Sequence, residues 1–557
     1  MPSDTNAVDR RGFLKAAGGA TIAATMAGCA GGGGGDETTT EDGGDGGDTS
    51  RVVYARGSDS TTLDPQATTT GEDAKVTNQV YDKLIHFEPG ETTLVGGLAE
   101  NFQLEGKTAT LELREGVTFH NGDEFTADDF VATYRRFVVE DYEAFIGVEN
   151  QSIYGPYLLG SAGGVTAVDD YTLEFQLASR YAPFLGNLAV FALAVMPKSL
   201  IEGDHDFSDD PVGTGPFSFD EWDTGNQVIR LSANQDYWGQ VPKVDEVVFR
   251  AIGENSTRAQ ALDTGEVDII DGVGSQQVDQ IEGYDGASVE RAPGMTIGYM
   301  AFNLARFEPF RNKKVRKAIS HAINTKAIVE NIYEGLAVDA SHPLPPNVMG
   351  HNPDLEPYPH DPEKAEQLLA EAGYEDGFSF ELATMTNPRP YFASPVQTAE
   401  TVRSNLEAIG LEVTINEQSW EPYLTYTQEG KHDACFLGWI SDNGDPDNFY
   451  SPLLHPGVAV EDVPEGQDWV SRDMEGMNTG NRAAWANTDF MQLVDEGKKN
   501  YNEDEREEIY LEASAITHDE APWVFMTHTE EIRGVHERVS GFVVDVIGGP
   551  FLNLVEV

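Results

Sequence analysis

A chain of 557 residues is too long to fold around one core, so two or three lobes are expected. Ninety-five acidic against 36 basic residues give a formal charge of −59, which argues against nucleic acid and anionic membrane surfaces as partners. The 27 Phe, 20 Tyr and 7 Trp residues argue against an acidic disordered chain, and acid spread throughout reads as adaptation to high salt, where a Debye length of about 3 Å screens self-repulsion.

Residues 1–28 read as a targeting segment. Arg10-Arg11-Gly12-Phe13-Leu14-Lys15 is a twin-arginine export signal. The apolar stretch Ala16 to Ala27 is shorter than the ~20 residues of a membrane-spanning helix. Met26-Ala27-Gly28-Cys29 resembles a lipoprotein box, in which the leader is cut before Cys29 and its thiol takes a lipid. Residues 29–50, rich in Gly, Thr and Asp, read as a flexible tether.

The folded part begins near Arg51 with a strand, Val52 to Ala55, followed by the loop Ser60-Thr61-Thr62-Leu63-Asp64-Pro65. After Thr69-Thr70-Gly71, helical spacing of Val76, Val80 and Leu84 predicts a helix over Ala74–Leu84. The stretch LAENFQLEGKTATLELREGVTFHNGDEFTADDFVATYRRF, Leu98 to Phe137, holds an alternating strand, an Asn121-Gly122 turn and a Thr126/Asp129 capping box. His120 has no second His or Cys at ligand spacing and reads as structural. Gly213-Thr214-Gly215-Pro216-Phe217 lacks the GK[ST] of a phosphate loop, so its glycines read as a tight crossing.

Alternation marks a strand near 294–303, and Val315 to Ile332 reads as one amphipathic helix. Asp361-Pro362-Glu363 opens a helix that ends at Gly373. A strand, Ser379 to Thr384, leads into Met385-Thr386-Asn387-Pro388-Arg389-Pro390-Tyr391, where two prolines bracket an arginine. A helix over Ala399–Ile409 and a strand over Leu411–Ile415 precede Trp420. A short apolar run containing Cys435, a small core residue, enters GWISDNGDPDNFY, Gly438 to Tyr450. That turn sets Asp442, Asp445 and Asp447 among Trp439, Phe449 and Tyr450. Turns of this composition are common on surfaces, but a fixed carboxylate beside aromatic walls also suits an α-ammonium ligand. A helix over Glu505–Ile516 and a strand over Ala521–Met526 follow; alternating strands and helices predict the α/β class.

The quoted runs STTLDP, LAENF…TYRRF, GTGPF, VRKAISHAIN and GWISDNGDPDNFY resemble the extracellular solute-binding proteins of family 5, the dipeptide-, oligopeptide- and nickel-binding subunits of ABC transporters. The likeness extends over nearly the whole chain after residue 51 and is strongest to dipeptide-binding members, in a salt-adapted archaeal form. It implies a two-lobe periplasmic-binding-protein fold of type II, with the extra subdomain of the peptide-binding cluster and the ligand between hinged lobes. The implied boundaries are lobe I over 51–293, with the extra subdomain at roughly 90–210, lobe II over 294–523 and a return to lobe I over 524–557.

The resemblance also implies a site. Arg389 takes a peptide's C-terminal carboxylate and Asp442 its α-ammonium; Trp439, Trp420 and Tyr391 form walls; backbone near Gly438, Thr70 and Gly71 completes the grip. The implied protein is a lipid-anchored monomer on the outer face of the cytoplasmic membrane. It needs no cofactor or metal and delivers a short peptide to an ABC permease with its ATPase subunits. Oligopeptide, nickel chelate, haem and oligosaccharide are alternative cargoes on the same framework. A secreted hydrolase or a sensor receptor is the alternative of another class, although HExxH, CxxC, GxSxG and Walker motifs are all missing from the sequence.

Overall fold

One 14-residue strand, Trp523–His536, joins two halves of a 12-stranded mixed sheet. Its first part, Trp523 to Thr527, pairs antiparallel with Thr296–Phe302. Its second part, Glu530 to His536, pairs antiparallel with Ala287–Pro293 and, at Gly534 and Val535, with Ile269–Ile270. The expected strand over Ala521–Met526 is therefore only the start of a longer one. The computed structural model describes residues 50–557. The leader with Arg10 and Arg11, the lipidation candidate Cys29 and the tether as far as residue 49 lie outside the described residues.

Beyond the long strand the sheet runs in two directions. One side continues through Thr296–Phe302, Ala434–Ile440, Ser379–Met385 and Glu412–Gln418. The other continues through Ile269–Ile270, Arg51–Arg56, Glu246–Ala251, Val228–Ala233 and Phe217–Asp223. A separate four-stranded antiparallel sheet, built from Ala99–Glu105, Thr108–Leu113, Thr172–Leu177 and Ala162–Asp169, packs with helix Ala127–Val138. The apolar cores follow this division. One large cluster runs from Met295 to Met526, another from Leu84 to Val195, and two smaller ones gather residues near Arg51–Arg56 with the C-terminal segment. Mixed α/β layers with a large sheet are the arrangement expected of the type II binding-protein fold.

Local chemistry explains several of these elements. The carboxylate of Asp129 accepts from both the amide (2.8 Å) and the hydroxyl (3.1 Å) of Thr126, closing the N-terminus of helix Ala127–Val138. Asp361 accepts from the amide of Lys364 at 2.9 Å and Pro362 opens helix Pro362–Glu371. Two expected helices differ. The first is Gly71–Val80, because Tyr81 turns extended and Leu84 belongs to the next segment. The second, expected unbroken over Val315–Ile332, is two helices, Lys313–Ala322 and Thr325–Asn331. Ile323 is extended and Asn324 caps the second helix, accepting from Ala327 N at 3.0 Å. A periodicity argument does not register a two-residue break that leaves the apolar side chains on one face.

The GTGPF turn is a close crossing, as expected. Gly215 N donates to Val80 O at 2.9 Å, and His120 N donates to Gly213 O at 2.9 Å. His120 Nε2 lies 3.0 Å from Gly215 O. A Cβ on Gly215 would stand 2.5 Å from Gln79 O, and one on Gly213 would overlap Val80 O. A Cβ on Gly71, by contrast, meets nothing within 4 Å. Gly215→Ala is therefore expected to destabilise by about 1–3 kcal/mol through overpacking. Gly71→Ala leaves stability unchanged or slightly raised. Urea unfolding midpoints of the two variants check this.

Candidate ligand-binding site

Three neighbouring parallel strands end at one edge of the sheet. Ser379–Met385 pairs in parallel with Glu412–Gln418, Met385 lying opposite Gln418, and with Ala434–Ile440, Ala383 lying opposite Cys435. Arg389 follows the first strand, Trp420 the second and Asp442 the third. The residues picked from sequence on lobe II thus emerge together at carboxyl ends of parallel strands, where open α/β sheets bind ligands. Cys435 sits fully buried within its strand, and burial pushes its thiol up to about 12.

The Arg389 loop is held by its own backbone and by two aromatic rings. Arg389 N donates to Phe392 O at 2.9 Å, and Phe392 N to Arg389 O at 2.8 Å. The Arg389 guanidinium lies 4.0 Å over the Trp420 ring. Its Nε is buried with no hydrogen-bond partner, and no carboxylate forms an ion pair with it among the described residues. Tyr391 is not the open wall expected from sequence. Its ring is 5 % exposed and packs where a Cβ on Gly438 would otherwise stand. Its carbonyl lies over Gly298, the ladder partner of Gly438, and accepts from Tyr333 OH at 2.9 Å. Tyr391 supports the edge of the site, and Trp420 orients Arg389.

The three acids of the turn separate clearly. Asp445 forms a buried ion pair with Arg506 at 2.7 Å and also accepts from Asp447 N at 2.8 Å. The Arg506 guanidinium is held above its ordinary range, chiefly by Asp445, against the opposing effect of burial. Asp447 begins helix Asp447–Leu453 and accepts from Ser451 Oγ. Burial and the neighbouring Asp445 push its carboxyl up to about 6. Asp442 makes no ion pair among the described residues. Its Oδ1 accepts from Tyr154 OH at 2.9 Å, and burial pushes its carboxyl up to about 6 despite that bond. Asn448 ties the turn together, accepting from Trp439 Nε1 at 2.9 Å and from Asp442 N at 3.3 Å, and donating to Tyr157 OH at 2.6 Å.

Tyr154 and Tyr157 were not singled out from sequence. They stand on the short helix Tyr154–Leu159, almost 290 residues before the turn they touch, in a stretch without a recognisable motif. The same subdomain meets the turn through Asn187, whose Oδ1 accepts from Asn443 Nδ2 at 2.7 Å. Thr70 caps helix Gly71–Val80, accepting from Asp73 N at 3.3 Å, while Gly71 and Pro390 both line a cleft of about 680 Å³. The strand ends therefore carry one cation and one anion, Arg389 and Asp442, neither paired with a protein counter-charge among the described residues. No group of three metal-ligating side chains occurs among the described residues, and none of their helices is long and apolar enough to cross a membrane.

This division of roles is testable by stability. Arg506→Met leaves Asp445 charged and buried and is expected to cost about 3–5 kcal/mol. Asp442→Asn relieves a carboxylate that is harder to ionise folded than unfolded. For such a group stability falls as pH rises from about 4 to about 6, so the variant gains on the parent protein at pH 7 and not at pH 4. Denaturant titrations at the two pH values check both.

Comparison with known proteins agrees with this architecture. Residues 93–460 match the family described as bacterial extracellular solute-binding proteins, family 5 Middle. The dipeptide-binding protein of Escherichia coli (strain K12) is 30 % identical over 514 residues, covering 89 % of this chain and 92 % of its own. Heme-binding protein A of Haemophilus influenzae is 32 % identical over 490 residues, covering 84 % of this chain and 85 % of its own. The crystal structure of a dipeptide-binding protein from Pseudoalteromonas sp. SM9913 in complex with Met-Leu superposes with a TM-score of 0.69 at 30 % identity, covering 91 % of this chain and 99 % of the other. The family match over residues 93–460 and the 30 % identity to the Escherichia coli protein make the chain a member of family 5 of the extracellular solute-binding proteins.

Proposed function

We propose that the protein is the substrate-binding component of an ABC importer and captures short peptides, dipeptides above all. The observation that carries this reading is the pair of uncompensated charges, Arg389 and Asp442, at the ends of strands that share one sheet. A dipeptide zwitterion has its own two charges separated by about 7 Å of extended chain, and two fixed receptors on one lobe select that length. Arg389 offers a planar fork to the α-carboxylate. Asp442 receives the α-ammonium, with Tyr154 OH completing its coordination. Trp439 lies beside the peptide, while Gly71 and Thr70 bring backbone from the facing lobe. The similarity to proteins named for dipeptide binding, one of them solved with Met-Leu, supports the same cargo.

Capture proceeds by closure of the lobes about the long strand and the Ala287–Pro293 to Thr296–Phe302 connection. The proposed lobe boundary 293/294 falls in that connection, while 523/524 falls at the start of the long strand, which still pairs with Thr296–Phe302 as far as Thr527. Closure excludes water, so both ion pairs escape the screening that molar salt imposes on exposed charges. The loaded protein then docks on a permease driven by its ATPase subunits. A lipid on Cys29 and the slack of the tether would keep it at the membrane surface as a monomer.

A haem cargo is the second reading, favoured by the Haemophilus influenzae relative. Haem iron takes an axial His, Met, Cys or Tyr, and of these only Tyr333 lines the 680 Å³ cleft, its hydroxyl already donating to Tyr391 O at 2.9 Å. The dipeptide reading is tested by calorimetric titration in molar salt with a dipeptide, its C-terminal amide, its N-acetyl form, a longer peptide and haem. The free dipeptide alone is expected to bind tightly. Arg389→Ala and Asp442→Ala each lose about 3–5 kcal/mol, of the ~8 kcal/mol of a micromolar complex. Equal binding of the amide or of the longer peptide would overturn the two-ended clamp. Because only the ionised Asp442 attracts an ammonium, affinity is full between about pH 6 and the ~8 at which the peptide's α-amine loses its proton, and falls about tenfold per unit below pH 6.

A further inference from the structure

Lys83 follows the first helix and is 6 % exposed, the single lysine among the buried charged residues described. No carboxylate forms an ion pair with it among the described residues, although the chain carries 95 acids. Its Nζ donates to the neutral Asn78 Oδ1 at 2.9 Å, which leaves two ammonium N–H groups to be satisfied. The adjacent Asp82 is already occupied. Its Oδ2 accepts from Trp238 Nε1 at 2.8 Å and Thr214 Oγ1 at 3.0 Å, and its Oδ1 from Tyr237 OH at 3.0 Å. His86, 3.4 Å from Asp82 Oδ1, is held far below its usual range by burial and by Lys83 and Arg114, and so adds no charge of its own. Burial pulls the Lys83 ammonium down to about 8, with Asp82 opposing.

Lys83 and Asn78 line a cavity of about 150 Å³, together with His86, Asn553, the C-terminal residues Pro550 and Phe551, and Asp82, whose two oxygens already accept from Trp238, Thr214 and Tyr237. A volume of that size holds one small ion and a few waters, at about 30 Å³ per water. Asp82 supplies negative charge beside the Lys83 ammonium but no hydrogen bond to it, so two of its N–H groups still face polar space without an acceptor. The C-terminal segment reaches the same place, since Asn78 Nδ2 donates to Gly549 O at 2.9 Å and Gln79 Nε2 to Pro550 O at 2.7 Å.

We propose that this cavity binds a small monovalent inorganic anion, chloride in a chloride medium, beside the Lys83 ammonium, and that the bound ion fastens the C-terminal segment to the first lobe. The site is separate from the peptide cleft and shares none of its lining residues. The test compares melting temperatures of the full-length protein in potassium chloride, bromide and gluconate at equal potassium concentration, gluconate being too large for the cavity. Chloride and bromide are expected to raise the melting temperature over gluconate by about 1–2 °C, an increment that Lys83→Met abolishes. The same increment persisting in Lys83→Met would overturn the proposal. Diffraction from wild-type crystals in molar potassium bromide is independent of how the variant folds. An anomalous bromide peak at hydrogen-bond distance from Lys83 Nζ supports the site, and a cavity without one refutes it.

Discussion

Tyr391 rests on two facing glycines, and the edge of the site depends on that contact. Gly298 and Gly438 lie opposite each other in an antiparallel ladder, and any side chain on Gly438 would overlap the Tyr391 ring. The Tyr333 hydroxyl fixes the Tyr391 carbonyl from behind. The loop after Met385 and the turn after Ile440 are thereby held in one register, although they come from different strands. Arg389 and Asp442 ride on those two segments. A spacing between two charges selects ligand length only if neither charge can drift, and here both stand on one rigid sheet edge.

In so acidic a chain, several buried cations are paired with carboxylates, and the two site candidates are not. Buried basic groups such as Arg316 and Arg506 find carboxylates, Glu520 and Asp468 for the first and Asp445 for the second. These pairs hold the fold because breaking one strands a charge in a poorly solvated place. Arg389 instead lies on an aromatic ring, and Asp442 takes a tyrosine hydroxyl. Neither arrangement neutralises the charge. Tyr154 also makes the extra subdomain part of the site, since one of its hydroxyls touches the acid on the opposite side.

Much of this was legible from the chain itself. The capping residues Thr126, Asp129 and Asp361, the GTGPF crossing, the buried Cys435 and the strand expected over Ser379–Thr384, which runs one residue further to Met385, all follow from local rules of backbone chemistry and periodicity. The family wording brought Arg389, Trp420 and Asp442 forward, and the parallel strand ends explain why they converge. What escaped was non-local. Nothing in SDNGDPD distinguishes Asp442 from Asp445, because the difference is Arg506, more than sixty residues later in the chain. Tyr154 escaped for the same reason, and Tyr391 was misjudged because its burial is decided by glycines on two other strands. Asn324 starts a second helix by an N-cap that a hydrophobic stripe does not encode.

The central claim is that Arg389 and the ligand's terminal carboxylate form one specific contact. A thermodynamic cycle in molar salt tests it directly, pairing Arg389→Ala with amidation of the dipeptide and measuring all four affinities by calorimetry. The account predicts strong non-additivity: the variant should bind free dipeptide and amide equally weakly, because each change alone already removes the contact. Additive losses would mean that Arg389 and the carboxylate act independently, and the two-ended clamp would be wrong.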